Sequence, residues 1–564
     1  MATPKYSCDF ETTTDPEDCR VWAWIATNIE SECEEVGTSI TSFLWWATFA
    51  ERVLYFHNLK FDGEFIVYEL LRQGYKHIKT RTPKDKLPRK SFATLISDKG
   101  QWYTLRICTR PGTVCEIRDS LKLLPFSVDK IAKDFHLPIQ KLSIDYTAKR
   151  ERGHELTQEE REYIRNDALI VAKALASLFS QGMTRLTIGA NAFSFFKSQC
   201  GGQKVFRALF PVPENDDFIR KAYKGGYCYA APQYAGRMLG TGHVYDVNSL
   251  YSSVMHSPYL YPVGTGEYFK GRYVPDEKKP LFFQRLTCGF TLKPGKLPMI
   301  QIKHHSCFIP TEYLTDSAGE RVELTLTSVD LQRFIDHYDT IGLEYIDGYK
   351  YEGKTGLFDE YIDHWTLQKQ TAKHDHNYSL YILAKLMLNN LYGKFSTNPH
   401  TGEKVPHMIE DRVIWETTDG DDREAVYIPV GAYCTAYARN VTLTAAQKNF
   451  GRFAYADTDS IHVIGEKPVD TIDVDPYRLG AWKHEGVFTQ AKYLHAKLYV
   501  EKIRDLDDEP GTEQWIVTGA GMTKECKKRV DPLHFDVGQR YAGKLRPKKC
   551  PFGVVLEETT FAIR

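Results

Sequence analysis

Two pairs of carboxylates, each two residues apart, constrain this chain more than any other feature. Asp9 and Glu11 stand in Cys8-Asp-Phe-Glu11, near the end of a strand-like run. Asp457 and Asp459 stand in Tyr455-Ala-Asp-Thr-Asp-Ser460, between two apolar runs. Residues i and i+2 share one face of a strand, so each pair brings two anions together. Such anions repel unless a cation or a proton lies between them. The chain has 564 residues, more than one hydrophobic core serves, so at least two domains are expected.

Further acids gather around the first pair. His57-Asn-Leu-Lys-Phe-Asp62 follows the apolar run Val53–Phe56, and Tyr163-x-x-x-Asp167 lies on a helix whose start is marked by Thr157-Gln-Glu-Glu160. That pattern is a capping box, and the helix is expected to run to about Phe179. Spacing of i and i+4 sets Tyr163 and Asp167 on one helix face, although alone this also reads as a solvent-facing Asp beside a half-buried Tyr. Together the four acids and the Tyr suit a phosphodiesterase: two divalent metals activate water and hold the leaving oxygen, with Mg²⁺ suited to oxygen ligands.

The second pair has its own companions. A hairpin is expected at Asp457–Asp459; alone, Asp-Thr-Asp is also an ordinary turn. Upstream, Asp246 ends the strand-like run His243–Val247 and precedes a sharp turn. A strand-borne Asp246 facing a hairpin-borne Asp459 suits two Mg²⁺ ions for nucleotidyl transfer. Between them, Lys385, Asn389 and Tyr392 follow i, i+4, i+7 and line one helix face, with Gly393 expected to end that helix. A Lys there suits a triphosphate, and a Tyr suits a base or sugar.

The order of these segments resembles a known family. DFE, NLKFD and YIRND look like the three motifs of DnaQ-like, RNase H-fold proofreading exonucleases. The resemblance implies that Asp9, Glu11, Asp62 and Asp167 are metal ligands and that Tyr163 positions the attacking water. It implies that Thr12, His57, Asn58, Phe61, Ser120 and Leu121 contact the single-stranded primer end, and that Lys141 and Tyr146 in KLSIDY are accessory residues of the same site. DVNSLY, KLMLNNLYG and YADTDS look like motifs A, B and C of the family B DNA polymerases. By that likeness Asp246, Val247 and Asp459 bind two Mg²⁺ or Mn²⁺ ions, with Asp457 in support. Tyr251, Lys369, Lys385, Asn389 and Tyr392 would contact the incoming dNTP, Tyr251 excluding a 2′-OH. Tyr223, Gly225 and Gly226 match the YxGG motif, Thr435 and Arg439 the motif between B and C, and Lys497 and Tyr499 the KxY motif. All seven would contact primer or template DNA.

CDFETTT, LNNLYGKF and GAGMT at 519–523 narrow the resemblance to the protein-primed branch, of the Bacillus phage phi-29 type. The implied fold class is mixed α/β and α+β, multidomain: an RNase H-like exonuclease with a right-hand palm, fingers and thumb, and two insertions. The expected bounds are 1–187 exonuclease, 188–257 first palm part and 258–356 insertion resembling terminal protein region 1. They continue with 357–396 fingers, 397–427 insertion resembling terminal protein region 2, 428–519 second palm part and 520–564 thumb. Implied partners are template and primer DNA, dNTPs and a terminal protein that primes synthesis, the polymerase acting as a monomer or as a heterodimer with it. Ser252, Asn390 and Tyr381 depart from the family pattern, and the fingers segment is a few residues longer around Lys373–Tyr378.

Bulk properties bound the rest. The formal net charge is zero, which argues against a uniformly basic nucleic-acid binder. From Ala520 to Cys550, however, nine Lys or Arg face three Asp or Glu, a local charge of +6. The twelve Cys lack zinc spacing. No stretch approaches the roughly 20 apolar residues of a membrane span, and no apolar signal core begins the chain. The expectation is a protein of the host cytoplasm with no membrane partner. The rival readings are a nuclease with a vestigial polymerase half, a non-catalytic replication protein, and an RNA-copying enzyme.

Overall fold

The computed structural model describes residues 3–146, 148–420, 422–504 and 511–564. Residues 505–510 fall within the expected second palm part and lie outside the described residues.

The N-terminal unit is built on an eight-stranded sheet. Its central strand, Lys5–Thr12, runs antiparallel to Val21–Asn28 and parallel to Arg52–Phe56, which is parallel in turn to Thr113–Asp119. Val21–Thr27 is buried at every residue, as a strand covered on both faces requires. The helix Gln158–Ser180 packs on the first two of these strands. Its capping box forms as expected: Thr157 Oγ1 accepts the Glu160 N–H at 3.2 Å, and Glu160 Oε2 accepts the Thr157 N–H at 3.1 Å. Hydrogen bonds from His154 and Arg150 overcome the cost of burial and hold the Glu160 carboxyl down at about 2.

A seven-stranded sheet centres the second unit. Gly242–Val247 lies between Trp482–His495 and Ser460–Ile464, antiparallel to both. Phe453–Asp457 hairpins onto Ser460–Ile464 and pairs on its other side with Cys228–Ala230. Leu498–Arg504 and Glu513–Gly519 complete the far edge. The helix Ile428–Lys448, apolar on most faces, is buried in the large core that also receives Asp359–His374 and Tyr378–Phe395, as all-round hydrophobicity demands.

Gly393 does not end its helix, which continues to Phe395. Glycine inside a helix costs about 1 kcal/mol relative to Ala. Phe395, fully buried among Phe193, Phe206, Phe210 and Phe358, offsets that cost.

Three further pieces attach here. A four-stranded sheet orders Tyr261–Lys270, Tyr338–Lys354, Leu281–Leu292 and Val322–Thr327, with the helix Ser328–His337 on a small core of its own. A hairpin, Gly402–Ile409 with Arg412–Asp419, reaches the N-terminal unit through Trp415, which donates to Glu64 at 2.8 Å and meets Trp102 edge-on. The C-terminal hairpin, Arg540–Cys550 with Gly553–Ala562, meets the tip of that hairpin. There Lys549 Nζ donates to the Val413 carbonyl at 2.6 Å, and the Phe552 N–H donates to the Asp411 carbonyl at 3.3 Å.

Candidate active sites

The first acidic site forms where three elements meet. Asp9 and Glu11 come from the strand Lys5–Thr12, Asp62 from the first turn of the helix Leu59–Arg72, and Asp167 from Gln158–Ser180. Glu11, Asp62 and Asp167 are all less than a tenth exposed. Asp167 is therefore not solvent-facing, and Tyr163 beside it is buried too. Burial foremost, then the neighbouring carboxylates, pushes the Asp9, Glu11 and Asp62 carboxyls above their ordinary range. Burial likewise raises Asp167, opposed by the ammonium of Lys141, which pairs with one of its oxygens. The other oxygen, Oδ1, is buried without a hydrogen-bond partner.

Tyr163 and Tyr146 join hydroxyl to hydroxyl, and Lys141 lies over the Tyr163 ring. Burial, then Glu11, raises the Tyr163 phenol, so it stays protonated. Thr12 sits at the strand end where the pairing register shifts, and Phe61 packs on Phe65.

Several residues expected at the DNA are held in place by hydrogen bonds to one another and to the backbone. Ser120 is fully buried, and its hydroxyl lies 3.0 Å from both the Phe56 carbonyl and His57 Nδ1. It supports His57. His57 Nε2 donates to the Phe126 carbonyl at 2.7 Å, and burial lowers its pKa, which keeps the ring neutral. Asp119 is absent from the residues singled out in the sequence. It is buried, and its Oδ1 accepts the N–H groups of Asn58 at 3.1 Å and Leu121 at 3.0 Å. It thereby holds Asn58 at φ 72°, a conformation that Asn tolerates better than most residues. The available signal was its place just before Ser120, as the N-cap of a short turn.

The second site places Asp246 against the expected hairpin. Asp246 pairs with Ser460, and the Val247 N–H donates to the Asp459 carbonyl at 2.8 Å. The Val247 side chain is buried, which leaves only its backbone for any ligand. Burial, then Asp459 and Glu485, raises the Asp246 carboxyl from 3.8 to about 7, with Lys483 opposing. Burial also raises Asp459. The hairpin tip turns at Thr458, with φ 63°. Tyr227 and Thr442 bond its backbone, and Lys497 Nζ donates to Asp457 Oδ1 at 2.7 Å. Tyr499 packs at 4.9 Å on Tyr455 behind the tip.

Tyr251 and Tyr392 stack at 3.9 Å with planes 16° apart. Lys385 and Asn389 are exposed on the same helix face, as the spacing required. Burial, then Lys385 and Lys373, lowers the Lys369 pKa, so this cationic surface favours an anion. Ser252 Oγ donates to the Leu388 carbonyl and Asn390 Nδ2 to the Leu386 carbonyl, so both departures from the family pattern serve helix contacts.

Three more residues expected at the DNA have structural partners within the protein. Thr435 is buried with its hydroxyl on the carbonyls of its own helix. Arg439 is buried between Asp330 at 2.7 Å and the carbonyls of Lys224 and Gly225, both at 2.9 Å. It shapes the loop that carries Tyr223 and Gly225. Gly226 is required by close approach: a Cβ there would stand 2.7 Å from the Thr458 side chain.

Among the described residues, no three His, Cys, Asp or Glu side chains form a ready-made metal-ligand set. The donors nonetheless fit Mg²⁺ or Mn²⁺: all are oxygen, they are buried or half-buried and mutually repelling, and Asp167 Oδ1 is orphaned.

An RNase H-like sheet bearing buried acids, joined to an antiparallel sheet whose hairpin opposes Asp246, defines a nucleic-acid polymerase with an exonuclease-type domain. The profile of "DNA polymerase type B, organellar and viral" matches residues 50–152 and 147–475. The DNA polymerase of Bacillus phage B103 is 43% identical and that of Bacillus phage phi29 42% identical, each over 100% of both chains. That of Streptococcus phage Cp-1 is 32% identical over 99% of this chain and 98% of its own. A solved structure of the phi29 enzyme with primer-template DNA and incoming nucleotides superposes with a TM-score of 0.93 at 42% identity, covering all of both chains. The chain belongs to the type B DNA polymerases, and it is phi29-like in sequence and fold throughout its length. Its fold is that of an exonuclease domain with palm, fingers and thumb.

Proposed function

We propose that this DNA polymerase removes mispaired 3′ ends at Asp9, Glu11, Asp62 and Asp167, adds nucleotides at Asp246 and Asp459, and starts on a terminal protein. The carrying observation is the presence of two separate acidic sites, each with carboxyls raised by burial and by one another.

Asp246, Asp459 and the Val247 backbone would hold two divalent ions, as would the four exonuclease carboxylates. Such ions activate the attacking oxygen and neutralise the leaving one. Lys385 and Lys369 hold the triphosphate of the dNTP, and Asn389 lines the same face. Tyr251, fixed by its stack on Tyr392, lies under the sugar and excludes a 2′-OH. Lys497 and Tyr499 hold the primer terminus beside Asp457. In the first site Tyr163 orients the attacking water, and Lys141 neutralises Asp167. Thr12, His57, Asn58, Phe61, Leu121 and Tyr146 line the path of the frayed end. Residues 1–187, 188–257 with 428–519, 357–396 and 520–564 serve as exonuclease, palm, fingers and thumb. Residues 258–356 and 397–427 serve as terminal protein regions.

Contact between the C-terminal hairpin and the hairpin Gly402–Asp419 supports an enclosed DNA path, and hence processive, strand-displacing synthesis. Solved structures of the phi29 enzyme with primer-template DNA and with single-stranded DNA support the same partners here. No helix among the described residues is long and apolar enough to cross a membrane, in keeping with action in the host cytoplasm.

Incubation with labelled dATP, Mn²⁺ and the cognate terminal protein tests the priming reading. A covalent protein–nucleotide product is expected; its absence would leave DNA-primed synthesis alone.

A further inference from the structure

Behind the hairpin that carries Asp457 and Asp459 lies a buried polar cluster that neither acidic site uses. Glu501, on the strand Leu498–Arg504, is 4% exposed. Its Oε1 accepts from His462 Nδ1 at 2.5 Å and from the Tyr493 hydroxyl at 2.5 Å. His462 and Tyr493 are themselves buried. His462 sits on Ser460–Ile464, with the strands Trp482–His495 and Gly242–Val247 between it and that of Glu501, so the cluster reaches across the sheet face.

A buried carboxylate is tolerated only where hydrogen bonds replace water. Charge-assisted bonds are short and directional, so Glu501 fixes both ring planes. Those rings hold a third. Tyr493 stacks on Tyr455 at 5.0 Å with planes 9° apart, and His462 meets Tyr455 edge-on at 5.2 Å. The Tyr455 hydroxyl accepts the backbone N–H of Lys497 at 2.8 Å. Lys497 stands at φ 59°, a conformation that surrounding structure must over-determine for a side-chain-bearing residue. Its ammonium then reaches Asp457. An apolar cluster of the same volume would fill this space without aiming the Tyr455 hydroxyl.

We propose that Glu501 and His462 are positioning residues for nucleotide addition, acting through Tyr455 to set the turn of Lys497 beside Asp457. This rests on the reading that Asp246, Asp459 and Lys497 form the synthesis site.

The test compares Glu501→Leu, Glu501→Gln and Tyr455→Phe in the intact polymerase. Steady-state primer extension is measured beside digestion of a single-stranded oligonucleotide. In Glu501→Leu the kcat for extension falls by about 10- to 100-fold, the scale of a misplacement near 1 Å. The KM for dNTP stays unchanged, because Lys385 and Lys369 are untouched, and digestion also stays unchanged. Glu501→Gln recovers most of the loss, since its amide oxygen accepts at the same place. Tyr455→Phe keeps the ring, deletes the hydroxyl and shows the same kcat defect. Unaltered extension in Glu501→Leu, or equal damage to both activities that Gln does not relieve, overturns the proposal. Asp459→Ala run alongside separates this failure from that of the site itself, since synthesis surviving in that variant would refute the site.

Discussion

Lowering the pH from about 8 to about 6 should raise the Mg²⁺ concentration needed for half-maximal synthesis about tenfold. The perturbation acts on Asp246, whose carboxyl is raised from 3.8 to about 7 by burial, Asp459 and Glu485. A proton and a metal ion compete for that oxygen, and only the anion binds metal. With the group at about 7, roughly nine-tenths is protonated at about pH 6 and one-tenth at about pH 8, which gives the tenfold ratio. Primer extension at saturating dNTP, titrated with free Mg²⁺ at each pH, measures the shift directly. Asp459, also raised by burial, steepens the dependence in the same direction. A shift of less than about twofold would put Asp246 below about 6 and refute the argument from burial and repulsion.

The same group links pH to stability in the metal-free protein. Because its folded value is raised, its contribution is fully present below the unfolded value of 3.8 and is lost as pH rises through about 7. The loss is about 4 kcal/mol at 1.36 kcal/mol per decade, reduced to about 2 by solvent at the partly open site. Asp246→Asn should therefore abolish synthesis yet raise melting above pH 7 by calorimetry; an unchanged or lower melting temperature would count against it. Lys141→Met should slow single-strand digestion at least tenfold with extension unchanged, since its ammonium neutralises Asp167; equal digestion rates would remove Lys141 from the site. Thr157→Ala should cost about 1 kcal/mol in unfolding of the exonuclease domain, read by hydrogen exchange along Gln158–Ser180; undiminished protection would contradict the capping argument. Tyr251→Val should raise NTP incorporation relative to dNTP, and an unaltered ratio would show that the ring does not exclude the 2′-OH.

The carboxylates were legible in the sequence because their spacing is local. A two-residue interval sets Asp9 and Glu11 on one strand face, and Thr157 with Glu160 announces the helix that brings Asp167. The hairpin at Asp457–Asp459 was legible from the apolar runs on either side. What escaped depends on partners distant in the chain. Nothing near Arg439 in sequence reveals Asp330, and nothing near Gly226 reveals the Thr458 side chain against its Cα. Ser120 and Thr435 stand at motif positions, and nothing local in the sequence shows that packing buries their hydroxyls. Gly393 carried a genuine stop signal, overruled by the burial of Phe395 two residues later. Asp119 and Glu501 are single acids without a patterned neighbour, so only the folded chain shows what they hold.

The separation of two activities between two acidic sites is the central claim, and Asp459→Ala tests it most directly. The variant is assayed for dNTP incorporation on primed template and for 3′→5′ digestion of a single-stranded oligonucleotide in the same Mg²⁺ buffer. The account predicts no detectable incorporation with digestion at the wild-type rate. Incorporation at the wild-type rate, or loss of both activities in a folded protein, would contradict it.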